Sequence, residues 1–221
     1  MGPRFRDRRD AGQQLAAALI HYRGRPEALV LGLPRGGVPV AFEVARALGA
    51  PMDVLLVRKL GVPYQPELAL GAIASGVRVL DDRVVRDSGL GEREIEAITA
   101  AEERELLRRE QAYRGAEGAQ LAPLPLADRL AILVDDGLAT GSSMMAAIAV
   151  LRRAEVRGVV VGVPVAAAET CPRLRAQVDE LVCLHTPSPF RAVGLWYEDF
   201  SEVSDAEVRE LLARARSGDS P

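Results

Sequence analysis

Lysine and asparagine are all but missing from this 221-residue chain: Lys59 is the sole lysine among 28 basic residues, and asparagine does not occur. A GC-rich genome or selection against thermolabile side chains would each produce that bias. Either way, it leaves open why Lys59 persists where arginine replaces every other lysine. Cysteine is almost as scarce, with only Cys171 and Cys183. Two cysteines and no apolar leader segment exclude a disulfide framework and predict reduced thiols in a cytoplasmic protein. No apolar run approaches the roughly 18 residues of a transmembrane helix, so no membrane partner is expected. Two histidines, His21 and His185, exclude a His-rich metal site. Positive charge is not in excess, since 28 basic against 31 acidic residues leave a net charge of -3. Nucleic acid is therefore not an expected partner. The one basic cluster, "RFRDRRD" near the start, mixes both signs and reads as a solvated face.

What is present is an ordinary globular composition, 48% hydrophobic and 27% charged, in a chain long enough to bury a core. The pattern predicts a helix over 11–22, a buried strand over 27–33, a helix ending at Gly49 and a second strand over 52–60. A hairpin follows with its turn at Ser75-Gly76, then a long charged helix with apolar positions Ile95, Ile98, Leu106 and Tyr113. Beyond a loop come strand 130–134, helix 142–153, strand 158–166, helix 170–177, strand 180–185 and a final helix near 205–216. Strands of continuous Val, Leu and Ile alternating with helices predict an α/β fold, a Rossmann-like parallel sheet flanked by helices. A single domain over 1–221 is expected, with its core at 27–60 and 128–185, a helical insertion at about 88–116 and a small C-terminal hood at about 186–204. Exposed strand edges of such sheets make a homodimer an option.

In parallel sheets, ligands bind beyond the carboxyl ends of the strands. The stretch "LAILVDDGLATGSSMMAAI" places two acids there, Asp135 and Asp136, where an unpartnered carboxylate need not be buried. Gly137, Leu138, Ala139, Thr140, Gly141, Ser142 and Ser143 then lead into a helix. Backbone N–H groups, hydroxyls and a helix N-terminus suit a phosphate, and two carboxylates can each accept a hydrogen bond from a vicinal diol. Together they suit a ribose 5-phosphate. The alternatives are an ordinary helix cap with acids in its first turn and an acidic strand end of a nucleotide hydrolase. The hydrolase would also need a Gly-rich loop ending in Gly-Lys-Ser/Thr, and this chain has none.

The segment "ILVDDGLATGSSM" resembles the phosphoribosyl pyrophosphate (PRPP) motif of type I phosphoribosyltransferases: three apolar residues, two acids, then G-x-A-T-G and small residues. The overall pattern is similar to predicted members of unassigned substrate that share "PELAxGAI"-like and "PFRAVGxWYxDF"-like stretches. The resemblance implies that "LPRGG" is the pyrophosphate loop, formed by Pro34, Arg35, Gly36 and Gly37, with a non-proline cis peptide between Pro34 and Arg35. It implies that Arg58 and Lys59, ending the second strand, also receive pyrophosphate, and that a closing loop lies at Leu60 to Glu67. This gives Lys59 a functional reason to persist. "AVGLWYEDF" resembles the base-binding segment of hypoxanthine-guanine phosphoribosyltransferases. Trp196 and Tyr197 would be the stacking rings and Glu198 or Asp199 an acid near metal-bound water, although a core position for Trp196 is an equal alternative. The implied activity is transfer of phosphoribosyl from PRPP to a nitrogen acceptor, a nucleobase by preference, with release of pyrophosphate. Asp135, Asp136, Lys59 and Arg35 would carry the chemistry. Mg²⁺ is the implied cofactor, held by ligand oxygens and, through water, by Asp135, Asp136 or Asp199. A non-catalytic protein that binds PRPP or a nucleotide as a signal is the alternative.

Overall fold

In the computed structural model, the described residues are 4–63, 65–74, 76–114 and 123–217, with only the backbone described over 65–68. The predicted loop at 116–127 lies largely outside them, as do Ser75 of the hairpin turn and Tyr64 of the expected closing loop, whose residues 60–62 and 65–67 are strand instead.

Helix α1 (Arg8–Ala18) starts three residues earlier than expected because Asp7 caps it, accepting the Asp10 N–H at 2.7 Å. A 3-10 turn at Ile20–Tyr22 ends the predicted segment. Strand β1 (Ala28–Gly32) leads into α2 (Gly37–Leu48), which stops at Gly49 with φ of 64°. The second strand differs from expectation. Strand β2 covers only Met52–Val54, the chain then leaves the sheet over Leu55 to Val57, and β3 (Arg58–Val62) belongs to another sheet. An unbroken apolar run concealed that break. Strands β4 (Gln65–Ala74) and β5 (Val77–Leu80) form the predicted hairpin, but the expected strand residues "DRVV" at its end belong to helix α3 (Asp82–Ser88), capped by Asp81. Then come α4 (Glu92–Arg114), β6 (Leu130–Val134), α5 (Ser142–Arg153), β7 (Gly158–Val165), α6 (Cys171–Arg175), β8 (Glu180–His185) and α7 (Asp205–Ser217).

The main sheet is parallel, in the order β2-β1-β6-β7-β8, and β3-β4-β5 form a separate antiparallel sheet. The two faces follow the period-2 alternation of β1. Ala28 and Val30 pack under α1, α2 and α7, whereas Leu29 and Leu31 pack under α5 and the hairpin. From β1 the chain winds to β2 on one side and then returns to β6 on the other. The strand order therefore reverses between β1 and β6, which is the point where such sheets open a crevice for ligands. Both unusual loops, 33–37 and 135–143, leave the sheet at that crevice.

Candidate active site

Asp135 and Asp136 follow Val134 at the carboxyl end of β6, and neither is fully buried. The Asp136 N–H donates to Asp135 Oδ1 at 2.9 Å. Arg8 Nε donates to Asp136 Oδ2 at 2.8 Å. Burial and the charge of Asp136 hold the Asp135 carboxyl well above its ordinary range. Burial also raises Asp136, and the Arg8 guanidinium opposes that rise. The glycines of the neighbouring loop are packed onto this pair. A Cβ on Gly36 would lie 2.0 Å from Asp136 Oδ2, and one on Gly37 would lie 2.7 Å from the Val134 carbonyl oxygen. Only a residue without a side chain lets loop and acids approach so closely.

The loop from Gly137 to Ser143 is held from outside by its own carbonyls. The Leu138 N–H donates to the Val165 carbonyl, and the Leu138 carbonyl accepts from Ala167, both at 2.9 Å. Thr170 Oγ1 donates to the Ala139 carbonyl at 2.6 Å and Arg173 Nη2 to the Thr140 carbonyl at 2.7 Å. Gly141 has φ of 68° and turns the chain into α5. Among the described residues no acceptor takes the N–H groups of Ala139, Thr140 or Gly141. Thr140 Oγ1 lies 3.0 Å from Ser142 Oγ. Carbonyls tied down and N–H groups presented make a receptor for an anion, strengthened by the N-terminus of α5.

The peptide between Pro34 and Arg35 is cis. The Arg35 guanidinium turns toward the tail, paired with Glu202 and, at 3.7 Å, with Asp205. Arg58 pairs with Glu102 of α4 at 2.6 Å. Lys59 has no ion pair among the described residues. It shares a pocket of about 210 Å³ with Pro34, Arg58, Arg109 and Ser143, which sets it beside the loop that follows β1 and the start of α5. Lys59 also borders a larger, more open cleft of about 530 Å³ with Ser142 and Arg173. The structure thus brings Pro34, Arg58, Lys59 and Ser143 to one pocket and sends the Arg35 side chain elsewhere.

The tail folds back over these loops. Val193 covers Gly137, and Tyr197 Oη donates to the Asp136 carbonyl at 2.6 Å. Tyr197 is a correction to the expected stacking pair. Its ring is 3% exposed and packs between Phe5 and Phe200, at 5.4 and 4.9 Å, so it offers no open face for a base. Burial and the neighbouring Asp136 push its hydroxyl pKa upward. Trp196 is half-buried and stacks on His185 at 5.8 Å. Glu198 is exposed, and the Asp199 carboxylate accepts the Ser201 N–H at 2.9 Å. The N-terminal cluster is a second correction. Phe5 is 1% exposed in a small aromatic core and Arg8 reaches Asp136, so the stretch read as a solvated face is solvated at Arg4, Arg6 and Arg9 but turns Phe5 and Arg8 inward. Sequence reasoning also missed Glu102, Arg109, Thr170 and Arg173. An aromatic residue embedded in charge, Phe5, was the one local signal for the N-terminal contact.

A model of the phosphoribosyl transferase domain matches residues 7–198. The chain belongs to the phosphoribosyl transferase family. A Mycobacterium tuberculosis protein named "Putative phosphoribosyl transferase Rv0571c" is 49% identical over 212 residues, covering 96% of this chain and 47% of that relative. The chain therefore spans about half the length of the curated relatives it matches. The crystal structure of TT1426 from Thermus thermophilus superposes with a TM-score of 0.85 at 46% identity, covering 95% of this chain and 97% of that one. The structure of the AQ2163 protein from Aquifex aeolicus gives a TM-score of 0.50 at 12% identity over 85% and 78% of the two chains, a likeness of fold alone.

Proposed function

We propose that the protein transfers the phosphoribosyl group of PRPP to a nitrogen acceptor, a nucleobase by preference, and releases pyrophosphate. One observation carries this reading. A half-buried acid pair and a loop with unclaimed N–H groups meet at the reversal point of a phosphoribosyl transferase sheet. The 5-phosphate would rest on the N–H groups and hydroxyls of 137–143. Asp135 and Asp136 would accept from the ribose hydroxyls and offset the positive charge that develops on the sugar. Pro34, Gly36, Gly37, Arg58 and Lys59 would receive the pyrophosphate, with Arg35 joining them once released from Glu202. The C1–O bond breaks with its electron pair staying on pyrophosphate as the lone pair of the acceptor nitrogen forms the C1–N bond, and the proton that nitrogen loses passes to water or to the departing pyrophosphate. Positioning and electrostatics supply the rate, with no covalent enzyme intermediate.

The donor set fits Mg²⁺ that arrives with its substrate. This ion keeps several waters while binding one or two carboxylates and phosphate oxygens, and Asp135 and Asp136 offer two adjacent carboxylates. Asp135 and Asp136 are the carboxylates that would face it, and bound there it would neutralise charge on the leaving group. Asp199, turned onto Ser201, would have to reorient to join them.

The test is pyrophosphate release from protein, Mg²⁺ and PRPP against a panel of purines, pyrimidines and small amines. Release with one acceptor class supports the transferase. PRPP binding without release by any acceptor would favour the regulatory alternative, and no PRPP binding would overturn both.

A further inference from the structure

Arg8 opens α1 at the crevice, and three contacts fix its guanidinium. Nε donates to Asp136 Oδ2 at 2.8 Å, Nη1 donates to the Ser201 carbonyl at 2.6 Å, and the guanidinium carbon lies 3.9 Å from the Phe200 ring centroid. The side chain is 12% exposed, so these contacts are largely shielded from water and salt. The chain just before it is stitched to the tail. Phe5 N–H donates to the Trp196 carbonyl at 2.9 Å, Glu198 N–H to the Phe5 carbonyl at 2.8 Å and Asp199 N–H to the Arg6 carbonyl at 2.9 Å. Arg8 therefore joins the start of the chain, the acid pair and the C-terminal hood at one point.

A carboxylate on a strand end can present either oxygen, because rotation about its last bond exchanges them. At Asp136 that freedom is removed. Arg8 claims Oδ2, and the backbone of Gly36 closes on the same oxygen. Arginine suits the task where lysine would not, since its flat fork can hold a carboxylate and a carbonyl while lying on a ring.

We infer that Arg8 is a positioning residue for sugar recognition: by claiming one oxygen of Asp136, it aims the other at the 2-hydroxyl of a ribose. The inference rests on the proposed reading of Asp135 and Asp136 as the ribose acceptors. It adds that discrimination between ribose and deoxyribose depends on a residue in the N-terminal segment that need not touch the sugar.

The experiment compares affinities of ribose 5-phosphate, 2-deoxyribose 5-phosphate and inorganic phosphate for the wild-type protein, Arg8→Ala and Arg8→Lys. The wild type should prefer the ribose sugar over the deoxy sugar. Absence of that preference would overturn the reading of the acid pair, and this inference with it. In Arg8→Ala the ribose sugar should lose about tenfold in affinity, the scale of one charge-assisted hydrogen bond, so that the two sugars become nearly equal. Inorganic phosphate should bind as before, because the 137–143 loop is held by Thr170 and Arg173 instead. An equal loss for all three ligands would mean a merely structural role, and an unchanged ribose preference would mean Asp136 aims itself. Either result overturns the inference. Should Arg8→Ala fail to fold, Arg8→Lys carries the same test: it keeps the charge but not the fork, and full retention of the preference would refute the proposal.

Discussion

Gly36→Ala separates the two jobs of the acid pair. Gly36 has φ of -61° and ψ of -32°, a conformation any residue adopts. Alanine there narrows the unfolded ensemble and by itself stabilises by about 0.4–1 kcal/mol. Its Cβ, however, would lie 2.0 Å from Asp136 Oδ2 and 2.6 Å from Cγ. The carboxylate must swing away, and the pair with Arg8 breaks. Both side chains are mostly buried, at 12% and 14% exposure, so the lost charged hydrogen bond costs about 1.5–3 kcal/mol. The two effects leave a net loss of about 0.5–2.6 kcal/mol, or a Tm lower by roughly 1–10 °C for a chain of this size. Binding should suffer more. With Asp136 displaced, PRPP affinity should fall about 10- to 100-fold by calorimetry. Gly37→Ala is the contrast: its Cβ meets the Val134 carbonyl and the Asp135 Cα, at 2.7 and 2.9 Å, and that backbone cannot turn aside. That variant should fail to fold. A folded Gly36→Ala protein with unchanged PRPP affinity would refute the assignment of Asp136 to the ligand.

Asp135→Asn should raise stability at neutral pH while abolishing PRPP binding. The raised folded-state pKa of Asp135 means that its contribution is present below the unfolded value of about 3.9 and is lost as pH rises through the folded value. Denaturant melts across pH should therefore show the variant's advantage appearing with rising pH and vanishing in acid. Asp53, 2% exposed, faces Arg114 at 3.1 Å and Arg216 at 3.3 Å and accepts the Leu124 N–H at 2.9 Å. Asp53→Ala should cost about 3–5 kcal/mol in urea unfolding, since it strips two arginines of a buried carboxylate; a loss below about 1 kcal/mol would deny that staple. Lys59→Arg keeps the charge but widens the head group in a pocket of about 210 Å³. Pyrophosphate affinity should drop, and an unchanged value would reduce the role to that of any cation.

What the sequence made legible was local. "LAILVDDGLATGSSM" and "LPRGG" declare their loops because Gly, Ser, Asp and Pro act on their own backbone, and both loops leave the sheet where expected. The end of β2 was illegible because Leu55, Leu56 and Val57 are as apolar as a strand, yet they leave the main sheet toward the hairpin sheet. Arg8 was illegible for a different reason. Its partners, Asp136 and Ser201, are 128 and 193 residues away, and no periodicity encodes such a meeting. Tyr197 illustrates the limit of a motif. Its hydroxyl does reach the site, at the Asp136 carbonyl, but its ring is spent on Phe5 and Phe200. The long helix α4 had no role from sequence; in the fold it supplies Glu102 to Arg58 and Arg109 to the wall beside Lys59.

The most direct test of the account is a crystal structure with PRPP and Mg²⁺ bound. The account predicts the 5-phosphate on the N–H groups of Ala139, Thr140 and Gly141, the ribose hydroxyls on Asp135 and Asp136, and the pyrophosphate beside Pro34, Gly36 and Lys59. PRPP bound elsewhere, with the ribose hydroxyls away from Asp135 and Asp136 and the 137–143 loop facing only solvent, would contradict it.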